Sequence, residues 1–232
     1  MFRILALAFA LALAPASIAR ADVPASSQRV VSAEEAFGGW LAPVIGALER
    51  AGQAVYPFLQ IDFNFAEGDT RAAEAAVRQM ASQAGIARQS LASVRAELEA
   101  MGPFSHPQAS PEQVELSRIL LRDSRQTLDN MDRMLVDILA FGEAFARHDF
   151  QVMNQILPRL ENSARALIRS QATMIRARQP LAAPNSSQYH ALGGMASMYD
   201  GMATLLESDA TFDPAALEAA AVSMTRSLAS ER

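Results

Sequence analysis

Three methionines supply the softest donors in the chain. Met195, Met198 and Met202 stand at i, i+3 and i+7, which a helix brings to within about 60° of one another. Thioethers are soft ligands, so this set could hold copper, or take part in holding a b-type haem. His190 looks like a fourth ligand, but it lies five residues before Met195 and falls about 140° away around the same helix. Leu192, Tyr199 and Leu206 share the methionine face. A core stripe is therefore the plainer reading, since methionine fills irregular gaps. Gly194 and Gly201 beside it imply close helix approach in place of a metal pocket.

Arginine offers a second chemistry. All 20 basic residues are arginine. Arg165, Arg169 and Arg176 share one helical face, and Arg118, Arg122 and Arg125 another. Their planar forks suit phosphate, sulfate or a lipid headgroup. Glu115, Asp129, Asp132 and Glu161 lie within reach, however, and surface pairs of that kind contribute little each. A third candidate is apolar: Trp40, Phe63 and Phe65 form a possible binding surface with the uncharged run Ala36–Leu48. Gly38, Ala42 and Gly46 give that run a small-residue ridge suited to close helix contact. Burial as a central helix is expected; membrane contact through 36–48 is disfavoured, because the positive face of an interfacial helix is missing.

Other chemistry is excluded by composition. Without lysine there is no Schiff base and no P-loop lysine. Without cysteine there is no thiol catalysis, disulfide or thiolate zinc site. The three histidines are scattered: His106 precedes Pro107, His148 precedes Asp149, and His190 opens a helix. Asp149 reads as a helix cap in preference to a catalytic partner of His148. Glu-x-x-His, His-x-x-x-His, Gly-x-Ser-x-Gly and glycine-rich phosphate loops do not occur. The expectation is a non-enzymatic protein without cofactor that binds a protein partner or an apolar ligand. Copper or haem binding is the alternative, and an unrecognised hydrolase the third. A net charge of −5 disfavours nucleic acid.

The elements that position these residues read as helices throughout. Ala73, Val77, Met80, Ala84, Ala87, Leu91, Val94, Leu98 and Met101 alternate three- and four-residue steps. After Gly102-Pro103, the cap Ser110-Pro111 opens a second run with the same spacing from Val114 to Phe145. The two, at about 70–101 and 111–147, are expected to form a long antiparallel heptad hairpin. A capping box at Ser32 and Glu35 starts an earlier helix that contains Pro43. From Val55 to Phe65 the pattern changes: Ile61, Phe63 and Phe65 alternate with Asp62 and Asn64, and the segment reads as an extended crossing or short strand. Helices at about 150–178, 188–207 and from Asp213 onward complete an all-α bundle of five or six helices, a single domain over 32–232.

The chain opens with the three parts of a secretory signal: Arg3, the apolar run Ile4–Ala14, and Ala19-Arg20-Ala21. Cleavage after Ala21 leaves 211 residues and, by removing two arginines, moves the net charge to −7. Residues 22–31 are polar and small, a disordered lead-in. Export to a bacterial periplasm is the expected location, with no disulfide to stabilise the fold.

Overall fold

A computed structural model describes residues 32–61, 70–182, 184 and 186–205. The expected signal peptide, lead-in and final helix, with Phe63 and Phe65, lie outside the described residues. Within them the chain is all-α. Its helices are α1 (Ala33–Val55), α2 (Thr70–Ala100), α3 (Pro111–Ala146), α4 (Phe150–Arg178) and α5 (Ser187–Leu205), with 3-10 turns at Tyr56–Gln60 and Gln179–Leu181. No described helix is long and apolar enough to cross a membrane.

Local chemistry explains where the helices start. Ser32 accepts the Glu35 N–H at 3.2 Å, and the Glu35 carboxylate accepts the Ser32 N–H at 3.1 Å. Ser110 and Gln113 repeat this reciprocal box at the head of α3, with Pro111 at the first helical position. Pro43 and Pro158 stay inside α1 and α4. Each is exposed, and so are Gly39 and Asn154, four residues earlier. The carbonyls left without an N–H partner can therefore meet water.

The end of α3 is set by backbone geometry. The His148 N–H donates to the Phe145 carbonyl and the Asp149 N–H to that of Ala144, the paired bonds of a Schellman motif. This requires His148 to adopt φ 54°, a region where glycine carries no Cβ penalty. Asp149 then accepts the Val152 N–H at 3.0 Å and starts α4. His148→Gly is expected to raise stability by about 0.5–1 kcal/mol, read as a higher midpoint in urea at unchanged slope.

One hydrophobic cluster takes side chains from all five helices, among them Val44, Met80, Leu128, Leu160 and Tyr199. The heptad positions of α2 from Val77 to Leu98 are buried, as are Ser117, Leu121, Ser124, Leu128, Met131, Leu135 and Ile138 on α3. Side-chain contacts join α2 and the connection after it to α3. Arg88 pairs with Asp132 at 2.7 Å, Arg95 with Asp129 at 2.6 Å, and Phe104 N–H donates to Ser117 Oγ at 2.9 Å. Arg125 closes the end of α2 by donating to the carbonyls of Leu98 at 2.8 Å and Met101 at 3.0 Å. A cation there also opposes the negative end of the helix dipole. Arg125→Met is expected to cost about 1–2 kcal/mol, with amide exchange quickening first in the last turn of α2.

Three local expectations need correction. The described part of the 55–65 segment is not extended: Val55 ends α1 and Tyr56–Gln60 form a 3-10 turn. Pro57 sits at its head, and Phe58 and Ile61 are buried at 3% and 5% exposure. The alternating residues from Asp62 to Phe65 lie outside the described residues. The run Ala36–Leu48 is half-buried, not a central helix; Phe37, Val44 and Ala47 face the core while Gly38, Gly39, Ala42 and Pro43 face solvent. The Gly38–Ala42–Gly46 ridge therefore makes no close helix contact, and a Cβ at Gly38 would meet nothing within 4 Å.

Candidate functional site

The arginine stripes resolve into structural contacts. Arg118 reaches Glu115 at 3.3 Å and Arg122 reaches Asp123 at 2.8 Å; that carboxylate raises the Arg122 pKa above its ordinary value. Arg125 caps α2. On α4, Arg165 donates to Asn162 at 2.5 Å, Arg176 pairs with Asp200 of α5, and Arg169 is also engaged. Asp129 and Asp132 pair with α2, not with the arginines of their own helix.

The methionine set lines the inner side of α5. Met195 and Met202 are buried at 8% and 6% exposure beside Leu192 and Tyr199, and Met198 packs against the same cluster. His190 is exposed, its ring edge-on to Tyr189 at 5.8 Å. Gly194 and Gly201 do not mark close approach, contrary to expectation: a Cβ on either would meet nothing within 4 Å. The close approaches are at Gly193, where a Cβ would sit 2.8 Å from Gln179 Nε2, and at Gly142, where one would sit 2.7 Å from the Ala81 Cβ. Neighbouring glycines point about 100° apart on a helix, so glycine identity alone could not choose between them.

Trp40 lies in an aromatic cluster with Phe37 and Phe104; Phe63 and Phe65, its expected companions, lie outside the described residues. It stacks on Phe37 at 5.6 Å, approaches Phe104 at 6.4 Å, and donates Nε1–H to the Gly102 carbonyl at 3.0 Å. These contacts fasten α1 to the α2–α3 connection. His106 lies parallel to the Phe104 ring at 6.3 Å, at the opposite end of α3 from His148. Among the described residues no three histidine or carboxylate side chains gather as a metal site.

One concave feature among the described residues is a groove of about 520 Å³ along α2 and α3. Gly85, Arg88, Gln89, Ala92, Arg95, Ala96 and Glu99 form its α2 side, Leu91 lies beneath, and Asp132 and Leu139 form its α3 side. The α2 positions recur at three- and four-residue steps over about 21 Å of helix. The apolar ones are small, so the heptad face that Leu91 and Val94 fill inside the core is matched outside by a shallow depression. The Arg88–Asp132 and Arg95–Asp129 pairs bridge the two helices within it.

Sequence reasoning missed a second buried row on α3: Leu120, Asp123, Thr127, Asn130, Met134, Asp137, Phe141 and Ala144. It meets α4, where Asn130 donates to the Ala166 carbonyl at 3.2 Å and Asp137 accepts from Arg159 and from Ser163 Oγ at 2.9 Å. Its polar residues read as surface. The missed signal on α4 is periodic: the steps Leu160, Ala164, Leu167, Gln171, Met174 and Arg178 put a glutamine and an arginine in a core stripe, and both are 7% exposed.

Comparison with known protein families, curated proteins and solved structures finds no match to this chain.

Proposed function

We propose that this is an exported, non-enzymatic helical-bundle protein that binds an amphipathic helix of a protein partner in the α2–α3 groove. Its scaffold is the antiparallel heptad hairpin, stiffened by the cross-helix ion pairs, and its location is the bacterial periplasm. The observation that carries the reading is the groove's small-residue line at Gly85, Ala92 and Ala96. Its span of about four turns matches one short helix, and its empty volume suits large apolar side chains seated between small ones. Glu99 and Gln89 of the groove are exposed. The partner's complementary face carries leucine- or methionine-sized knobs flanked by a basic residue opposite Glu99.

A photo-crosslinking residue at Ala92 or Ala96, in cells making the protein at native level, is expected to give one discrete adduct. The same probe at Glu161, exposed on α4, gives none, and Ala92→Arg abolishes the Ala96 adduct by filling the groove. Equal labelling at 92, 96 and 161 rejects the groove. Fractionation with N-terminal sequencing tests the location: a mature chain starting at Asp22 in the periplasmic fraction is expected.

A further inference from the structure

The outer face of α2 carries a second heptad pattern, opposite the one that fills the core. Ala75, Gln79, Ser82, Ile86, Gln89 and Ser93 follow one another by steps of four and three residues, and the pattern continues to Ala100. Every position on it is exposed and none is charged, over about 37 Å of helix. An exposed helix face ordinarily carries charged residues; those of α2 stand beside this seam instead. Ile86, 55% exposed, is its one large aliphatic side chain and lies near its middle. The flank on one side is Arg71, Arg78, Gly85, Ala92 and Glu99, basic at the start, small in the middle and acidic at the end. Gly85, Ala92 and Glu99 also line the α2–α3 groove. The Arg78 side chain is 76% exposed and reaches Glu74, on its own helix, at 3.3 Å. Turned end for end, such a face is complementary to itself.

We propose that the helix bound in the groove is α2 of a second copy of this chain, packed antiparallel about a two-fold axis that passes between Ile86 and Gln89. The inference rests on the groove reading above and names its partner. In this register Ala75 lies opposite Ala100 of the second copy, Gln79 opposite Ala96, Ser82 opposite Ser93 and Ile86 opposite Gln89. Arg78 of each copy then stands beside Glu99 of the other, and Gly85 beside Ala92, where the Ile86 side chain finds room. A parallel pairing sets Arg78 level with Arg78 and Glu99 level with Glu99, and loses that match. Two-fold symmetry is what a self-complementary patch requires. Arg88 and Arg95 keep their pairs with Asp132 and Asp129 of α3.

Because the chain has no cysteine, introduced ones report the contact without background. Ser82→Cys and Ser93→Cys proteins, mixed and mildly oxidised, are expected to join through an 82–93 disulfide, since that register brings the two Cα atoms within about 7 Å. Neither protein alone should cross-link at a comparable rate, because like positions lie about 16 Å apart along the helix. Sedimentation of the purified protein is expected to show a monomer–dimer equilibrium. Arg78→Glu or Glu99→Arg weakens the dimer about tenfold, and the two changes in one chain recover most of the loss. Ile86→Arg leaves the helical circular dichroism unchanged and abolishes the dimer. A monomer at every concentration, 82–82 or 93–93 disulfides that form as fast as the mixed one, or no rescue by the charge exchange overturns the pairing. In the photo-crosslinking experiment above, an adduct of twice the chain mass supports it. An adduct with a different protein overturns the second copy and leaves the groove standing, whereas equal labelling at 92, 96 and 161 rejects the groove itself.

Discussion

Phe141→Ala is expected to lower the unfolding free energy by about 3–5 kcal/mol and the thermal midpoint by roughly 10 °C. Phe141 is 1% exposed and lies in the α3 row that meets α4, with the Phe145 ring 6.3 Å away. Truncation removes the transfer free energy of the ring and leaves a cavity that two long helices cannot collapse into. Circular dichroism and Trp40 fluorescence should report the same shift. Trp40 is the chain's one tryptophan and is bonded to Gly102. It therefore senses the far end of α3, a helix of 36 residues and so about 54 Å long. A loss below about 1 kcal/mol would mean that the ring is not packed as described, and separated midpoints would mean that the two ends unfold independently.

Gly142 should tolerate no larger side chain. A Cβ there would sit 2.7 Å from the Ala81 Cβ, and neither atom is the free end of a flexible side chain. Gly142→Leu is expected to cost about 3 kcal/mol through overpacking. Gly142→Ala is the sharper case, because helix propensity favours alanine by about 1 kcal/mol. The clash is expected to win, for a net loss of about 1 kcal/mol, the remainder after propensity offsets a typical overpacking cost. Combining Gly142→Ala with Ala81→Gly moves the missing methyl to the other helix and should recover most of that loss. Denaturant unfolding of the single and double variants measures the coupling. Additive effects would show that α2 and α3 are not in contact at this level.

The polar row of α3 shows how far the sequence pattern reaches. One heptad seam was visible because its residues are apolar against a polar background. The second seam holds Asp123, Thr127, Asn130 and Asp137, which carry no hydrophobic signal and are buried because α4 lies against them. The groove was invisible for a related reason. Its alanines and glycine are unremarkable in a helix, and only the spacing of two helices turns them into a depression. Trp40 was legible as an anchor-sized aromatic, but its partners Phe37 and Phe104 come from residues far apart in the chain.

Taken alone, the sequence determined that the described chain is helical, where α1, α3 and α4 begin, and which face of α2 is buried. These follow from interactions within a few residues: the Ser32 and Ser110 caps, Asp149, and the three- and four-residue steps from Val77 to Leu98. Tertiary structure alone decided which arginines pair across helices, which glycines sit against a neighbour, and that Arg178 is buried. Those outcomes depend on the rotation and separation of packed helices. A shift of one residue turns a side chain by about 100°, so local spacing could not specify them.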